Sequence, residues 1–161
     1  MKKLILVLGL LGVIVSCKPK QQLVSTTVDR KSQVAMKGSW TLTSVSFPGS
    51  EYFKVTSFEV ADAKCFEGST WEFVSNNDTG KMALTKSGCP AYASDFKWYV
   101  TKEQQVVLKF LNEGDKARKV TSGYILALGN QTLESFQLTD VVQVGNNKAK
   151  VVYQFKKNNS K

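Results

Sequence analysis

The side chains of this 161-residue chain that could carry covalent or acid–base chemistry are few: three cysteines, thirteen aspartates and glutamates, and no histidine. Without imidazole the commonest general base and metal ligand is gone, and with it Ser-His and Cys-His nucleophile pairs and most zinc sites. Catalysis would fall to carboxylates. Glu59, Asp62 and Glu67 stand in one long segment without periodicity, and Glu72 falls on the polar side of an alternating run, so no acid and base share an interior. The cysteines show no C-x-x-C spacing, and no glycine-rich loop leads from a strand into a helix; GNNKAK (145–150) reads as a hairpin turn. The expectation is a chain that is not an enzyme and carries no metal and no cofactor.

Cys17 stands at a seam. Lys2 and Lys3 are followed by the apolar run Leu4–Val15, a small Ser16, and then the abruptly basic Cys17-Lys18-Pro19-Lys20. This is the pattern of an export signal, and its apolar core falls short of the roughly 20 residues that cross a bilayer. Ile14-Val15-Ser16-Cys17 resembles the lipobox of bacterial lipoproteins. The resemblance implies that the Cys17 thiolate, the nucleophile such a transfer needs, is acylated with diacylglycerol and palmitate chains, and that residues 1–16 are removed. The membrane is then a partner through Cys17. With lysine rather than aspartate at position 18, the implied location is the cell envelope, at the outer membrane on its periplasmic face.

Loss of Lys2 and Lys3 with the signal lowers the formal charge from +9 to +7. The basic residues are scattered through most strands and turns instead of lining one helix or loop, so they read as a solvated surface and not as a nucleic-acid site. Residues 17–37 are polar, rich in Ser, Thr and Gln, with five basic residues against Asp29 alone. They read as a flexible tether carrying the lipid anchor.

Beyond the tether, one domain of about 120 residues spans 38–157, followed by a disordered tail at 158–161. Its pattern is period two. SWTLTSVSF, STWEFV, KMALTK, DFKWYV, VVLKFL, YILALG, TLESFQL and KVVYQF are short runs rich in β-branched and aromatic residues, separated by NNDTG, KEQQ, NEGD, GNQ and GNN turns. About eight strands in sequential hairpins, with no crossover helix, predict an all-β fold. An eight-stranded up-and-down antiparallel barrel hides its edges, although a flattened sandwich would bury the same faces. The alternation puts Trp71, Phe73, Met82, Leu84, Phe96, Trp98, Leu108, Phe110, Tyr124, Leu126, Phe136, Leu138, Tyr153 and Phe155 on one face. Glu72, Lys97, Lys109, Gln137 and Gln154 fall on the other. Leu42 and Leu133 are out of phase with their strands, and each is expected at a β-bulge.

Gly38-Ser39-Trp40 at the head of the first strand is similar to the first signature motif of the lipocalins, and 48–68 matches their lid loop over the open end. The T-D-Y motif of that family has no counterpart here, so the chain resembles most the lipocalin-like bacterial lipoproteins that keep the barrel and the first motif. The resemblance implies that Gly38 and Trp40 close the barrel bottom with Lys156 or Lys157 over the tryptophan ring. It also places the loops holding Cys65 and Cys89 together at the mouth. In an oxidising compartment, with Cys17 acylated, those two thiols are an even pair expected to form a disulfide.

Two functional classes remain open. In one, a small hydrophobic molecule occupies the lumen, lined by Trp71, Phe73, Phe96, Trp98, Phe110, Tyr124, Phe136 and Tyr153, with Tyr52 and Phe58 at the mouth. In the other the same side chains are a solid core, and the barrel is a monomeric interaction or structural module of the cell envelope. Tyr52, Phe53 and Phe58 would either fold back over the barrel as a short helix or form an exposed contact. Bulky inward residues are compatible with both classes.

Overall fold

Strands that are dry on one side and wet on the other are satisfied by a sheet that closes on itself. The computed structural model describes residues 25–49, 54–112, 114–116, 118, 120 and 123–159. The export segment 1–16, Cys17, Tyr52 and Phe53 lie outside the described residues. The elements are α1 (Arg30–Ala35), β1 (Gly38–Ser46), β2 (Thr56–Ser57), β3 (Ala61–Asp62), a 3-10 turn (Ala63–Phe66), β4 (Thr70–Val74), β5 (Thr79–Ala83), β6 (Ala93–Val100), β7 (Gln105–Leu111), β8 (Tyr124–Gly129), β9 (Ser135–Val144) and β10 (Asn147–Lys157). Eight strands form a closed barrel in the order β1-β10-β9-β8-β7-β6-β5-β4. Every pair is antiparallel, and β4 returns to β1 from Gly38↔Phe73 to Thr41↔Thr70, so the arrangement is the closed up-and-down barrel and not a sandwich.

The register of β1 against β10 shifts between Leu42 and Ser44, which lets Leu42 and Val45 both point inward. This is the bulge their phase requires. Leu133 is a correction: it precedes β9 and stands 74% exposed in the β8–β9 turn. That turn is set by hydrogen bonds between Thr132 and Ser135, not by burial of the leucine. The NNDTG turn is a second one. Asp78 takes the left-handed conformation, at φ 56°, while Gly80 lies inside β5 paired between Phe73 and Phe96. A Cβ at Gly80 would collide with the Phe96 ring and the Glu72 carbonyl, so the glycine serves close approach instead of a turn.

The flexible tether expected over 17–37 does not extend over 28–37. Asp29 caps α1 by accepting from the Lys31 and Ser32 amides at 3.1 and 3.3 Å. Its own amide donates to the Val100 carbonyl at 2.7 Å, and Val28 bridges Thr101. Gln33 and Met36 are fully buried. Residues 28–37 therefore cap one end of the barrel, because Met36 supplies apolar surface and Asp29 supplies the helix start that the polar composition conceals. Trp40 Nε1 donates to the Met36 carbonyl at 2.8 Å, joining this cap to β1.

The other end is the mouth. There the described part of the lid folds as the β2–β3 hairpin and the 3-10 turn, and Phe58 folds back over the barrel in that hairpin instead of in a short helix. Phe58 and Glu59 form the hairpin's two central residues at φ 54° and 57°, with the Val60 amide donating to Ser57. That geometry ordinarily selects Asn-Gly, and a phenylalanine there costs roughly 1 kcal/mol or more.

Candidate functional site

Two groups of side chains converge at the mouth: the inward aromatics of the barrel and the residues that fasten the lid above them. The fastening begins at Cys65, which is disulfide-bonded to Cys89 with their Cα atoms 5.6 Å apart, tying the 3-10 turn to the β5–β6 connection. Beside it, Glu67 accepts from Lys64 at 2.9 Å, Lys86 at 3.0 Å and the Val45 amide at 3.1 Å. Burial works to raise the Glu67 carboxyl, but the Lys64 bond, the Val45 amide and Lys86 outweigh it and bring it down to about 2. Lys64 also reaches the Val45 carbonyl, so one lid segment grips β1 and the neighbouring connection together.

Beneath the lid the lumen is occupied by the protein's own rings. Trp71, Phe73, Phe96, Trp98, Phe136 and Tyr153 are essentially fully buried, and Phe110 and Tyr124 are half-buried nearer the mouth. Phe73 lies edge-on to Trp98 at 4.9 Å and to Phe96 at 5.2 Å, and Phe136 stacks on Phe155 at 4.6 Å. Phe58 closes the top of this cluster, within 5.1 to 5.5 Å of Tyr124, Phe66, Tyr153 and Phe110. Three of the buried rings spend their polar ends internally. Trp71 Nε1 bonds Ser69, Trp98 Nε1 bonds the Thr79 carbonyl, and the Tyr153 hydroxyl shares a 2.6 Å hydrogen bond with Ser57 of the lid.

Of the lumen and mouth residues named from sequence, nine come together in this cluster, and Tyr52 lies outside the described residues. At the closed end the lysine over Trp40 is Lys157, at 5.6 Å from the ring centroid. Lys156, the other of the two positions expected there, is exposed on the outer face because it alternates with Phe155 and Lys157 along β10.

A recess of about 350 Å3 opens at the rim above Phe58, Phe110 and Tyr124, with Tyr92, Glu59 and Asp115 around it. A larger one, about 740 Å3, lies on the outer wall, where the small Ala83 and Ala93 leave a hollow flanked by Glu72, Lys81 and Asp95. Asp140, one β repeat beyond Leu138 on β9, shares the inward register. Burial raises its carboxyl above the ordinary value, against the bond from the Val141 amide. Burial, followed by the negative charge of Glu59, pushes the Tyr124 hydroxyl up to about 12, and burial likewise raises that of Tyr153. Ser57, Phe66 and Asp140 were not singled out from sequence. Only Asp140 carried a signal, its even spacing from Phe136 and Leu138.

Among the described residues no group of three or more His, Cys, Asp or Glu side chains is placed to hold a metal ion. The sequence matches no protein-family model and no curated protein.

Proposed function

We propose that the chain is a lipocalin-like lipoprotein of the bacterial cell envelope, a filled-core barrel that works through its mouth and outer surface and does not store cargo in its lumen. The observation that carries the reading is Phe58: a lid residue, only 6% exposed, that occupies the mouth and touches rings from β4, β7, β8 and β10. A pocket for a small hydrophobic molecule needs roughly 300 Å3 or more of open interior, and the close ring spacing among the described residues, from 4.6 Å for Phe136–Phe155 to 6.4 Å for Phe73–Phe155, supports a lumen filled by side chains.

Lipid attachment at Cys17 orients the module. The chain reaches the barrel at its closed end, and residues 18–24 allow a reach of at most roughly 25 Å. The closed end then lies near the bilayer with the mouth directed away from it, available to a partner.

A second reading is favoured by one feature: the plug sits on the lid and not on a barrel strand. A lid that lifted would carry Phe58 away and open an aromatic lumen to a small hydrophobic ligand. A native mass spectrum of the full-length protein, purified from membranes in a glycoside detergent and then solvent-extracted, separates the readings. The proposal expects a chain beginning at acylated Cys17, lighter by the disulfide hydrogens and free of apolar adduct. An unmodified N-terminus would overturn the anchoring, and a discrete extractable apolar molecule would overturn the filled barrel.

A further inference from the structure

We propose that the rim recess at the mouth is a binding site for an organic cation, an ammonium or alkylated ammonium group seated against the Phe110 and Tyr124 rings. The recess, about 350 Å3, is large enough for such a head group with a short substituent. Four of its nine lining residues are aromatic, and their rings are turned in different directions. Phe110 and Tyr124 meet at 5.9 Å and 56°, Tyr92 meets Phe110 at 6.5 Å and 83°, and Phe58 meets Tyr124 at 5.1 Å and 87°. Rings turned in different directions offer both edges and faces, and a cation prefers a face, the negative side of the ring quadrupole.

The charge at the recess has the same sign as those faces. Glu59 and Asp115 stand at its edge, and no lysine or arginine of the described residues lines it, although the chain as a whole carries a formal charge of +9. Asp140 adds a third carboxylate close enough to act on Tyr124, and among the described residues it has no ion-pair partner. Glu59 and Asp115 disfavour an anion, and the Lys109 ammonium beside the lining is taken up by the Val120 carbonyl at 3.2 Å. A neutral apolar ligand would leave the carboxylates desolvated and unpaired. A cation with an alkyl shell satisfies both the rings and the acids. The site lies above Phe58, so it does not depend on the lumen opening or on the lipid anchor.

The test is a titration of the full-length protein in a glycoside detergent with choline and with 3,3-dimethylbutan-1-ol, its uncharged isostere, followed by calorimetry and by the aromatic NMR signals. The expected result is saturable binding of choline that shifts ring resonances, with the isostere at least roughly tenfold weaker, the ratio produced by about 1.4 kcal/mol. Glu59→Gln and Tyr92→Leu should each weaken choline several-fold while leaving the melting temperature close to that of the parent. A further arm uses a short-chain phosphatidylcholine below its micellar concentration. Tighter binding than choline assigns the cation to a lipid head group, and equal or weaker binding assigns it to a free amine. Equal affinity for the isostere, no saturable binding of choline, or choline binding untouched by both substitutions would overturn the proposal.

Discussion

The Lys157 ammonium lies 5.6 Å from the Trp40 ring centroid, while Nε1 of the same indole donates to the Met36 carbonyl at 2.8 Å. The tryptophan is thus held by the last barrel strand and by the N-terminal cap at once. Removing the cation by Lys157→Ala should lower unfolding free energy by about 0.5–1 kcal/mol. Lys156→Ala, one residue away on the outer face, should stay within about 0.5 kcal/mol of the parent. Urea unfolding of the two variants side by side measures the difference.

Gly80 makes a sharper test of packing. Phe96 is fully buried and has nowhere to withdraw if a methyl group is added beneath it. Gly80→Ala should cost about 1–3 kcal/mol through overpacking, although alanine suits a strand interior better than glycine on local grounds. A variant as stable as the parent would show that the ring does not press on β5.

The Cys65–Cys89 bond closes a stretch of 24 residues that includes β4 and β5. The chain-entropy model gives about 3 kcal/mol for a loop of this size. The double alanine variant should lose about that much in thermal unfolding, and reductant should bring the parent down to it while leaving the variant unchanged.

Glu67 gives a pH dependence of fixed sign. Its carboxyl lies at about 2 in the folded protein against an ordinary 4.5, so the folded state binds the proton less tightly than the unfolded one. Stability from the Lys64, Lys86 and Val45 contacts is complete above about pH 4.5 and is lost as pH falls toward 2. Glu67→Gln should flatten the acid limb of the stability curve across that window and leave the slope above pH 6 unaltered.

The barrel was legible because its side chains alternate almost without interruption: Trp71 and Phe73, Phe96 and Trp98, Tyr153 and Phe155 each mark an inward face two residues apart. Leu42 was legible as a bulge for the same reason, since a phase error inside a paired strand has one physical remedy. Leu133 was not, because a phase error at the end of a strand can be absorbed by ending the strand. The cap over 28–37 was hidden by composition: α1 is a single short helix of polar residues, held by the Asp29 cap and by the buried Met36, and neither produces periodicity. Gly80 was misread because a glycine beside Asn and Asp looks like turn chemistry, and only the position of Phe96 across the sheet reveals its use. The mouth was half legible. The disulfide followed from the loop placement that the lipocalin resemblance implies and from the expected oxidising compartment, whereas Phe58 as a plug depends on a left-handed turn that its own residue type disfavours.

The central claim is that the lumen is closed by Phe58 and filled by the protein's own rings. The direct test is the fluorescence of a neutral apolar dye such as N-phenyl-1-naphthylamine, titrated into the parent and into Phe58→Ala. The account predicts no saturable uptake by the parent and a new one-to-one site in the variant, whose stability falls by about 3–5 kcal/mol as the cavity appears. Stoichiometric uptake by the parent with the affinity of the variant would contradict it.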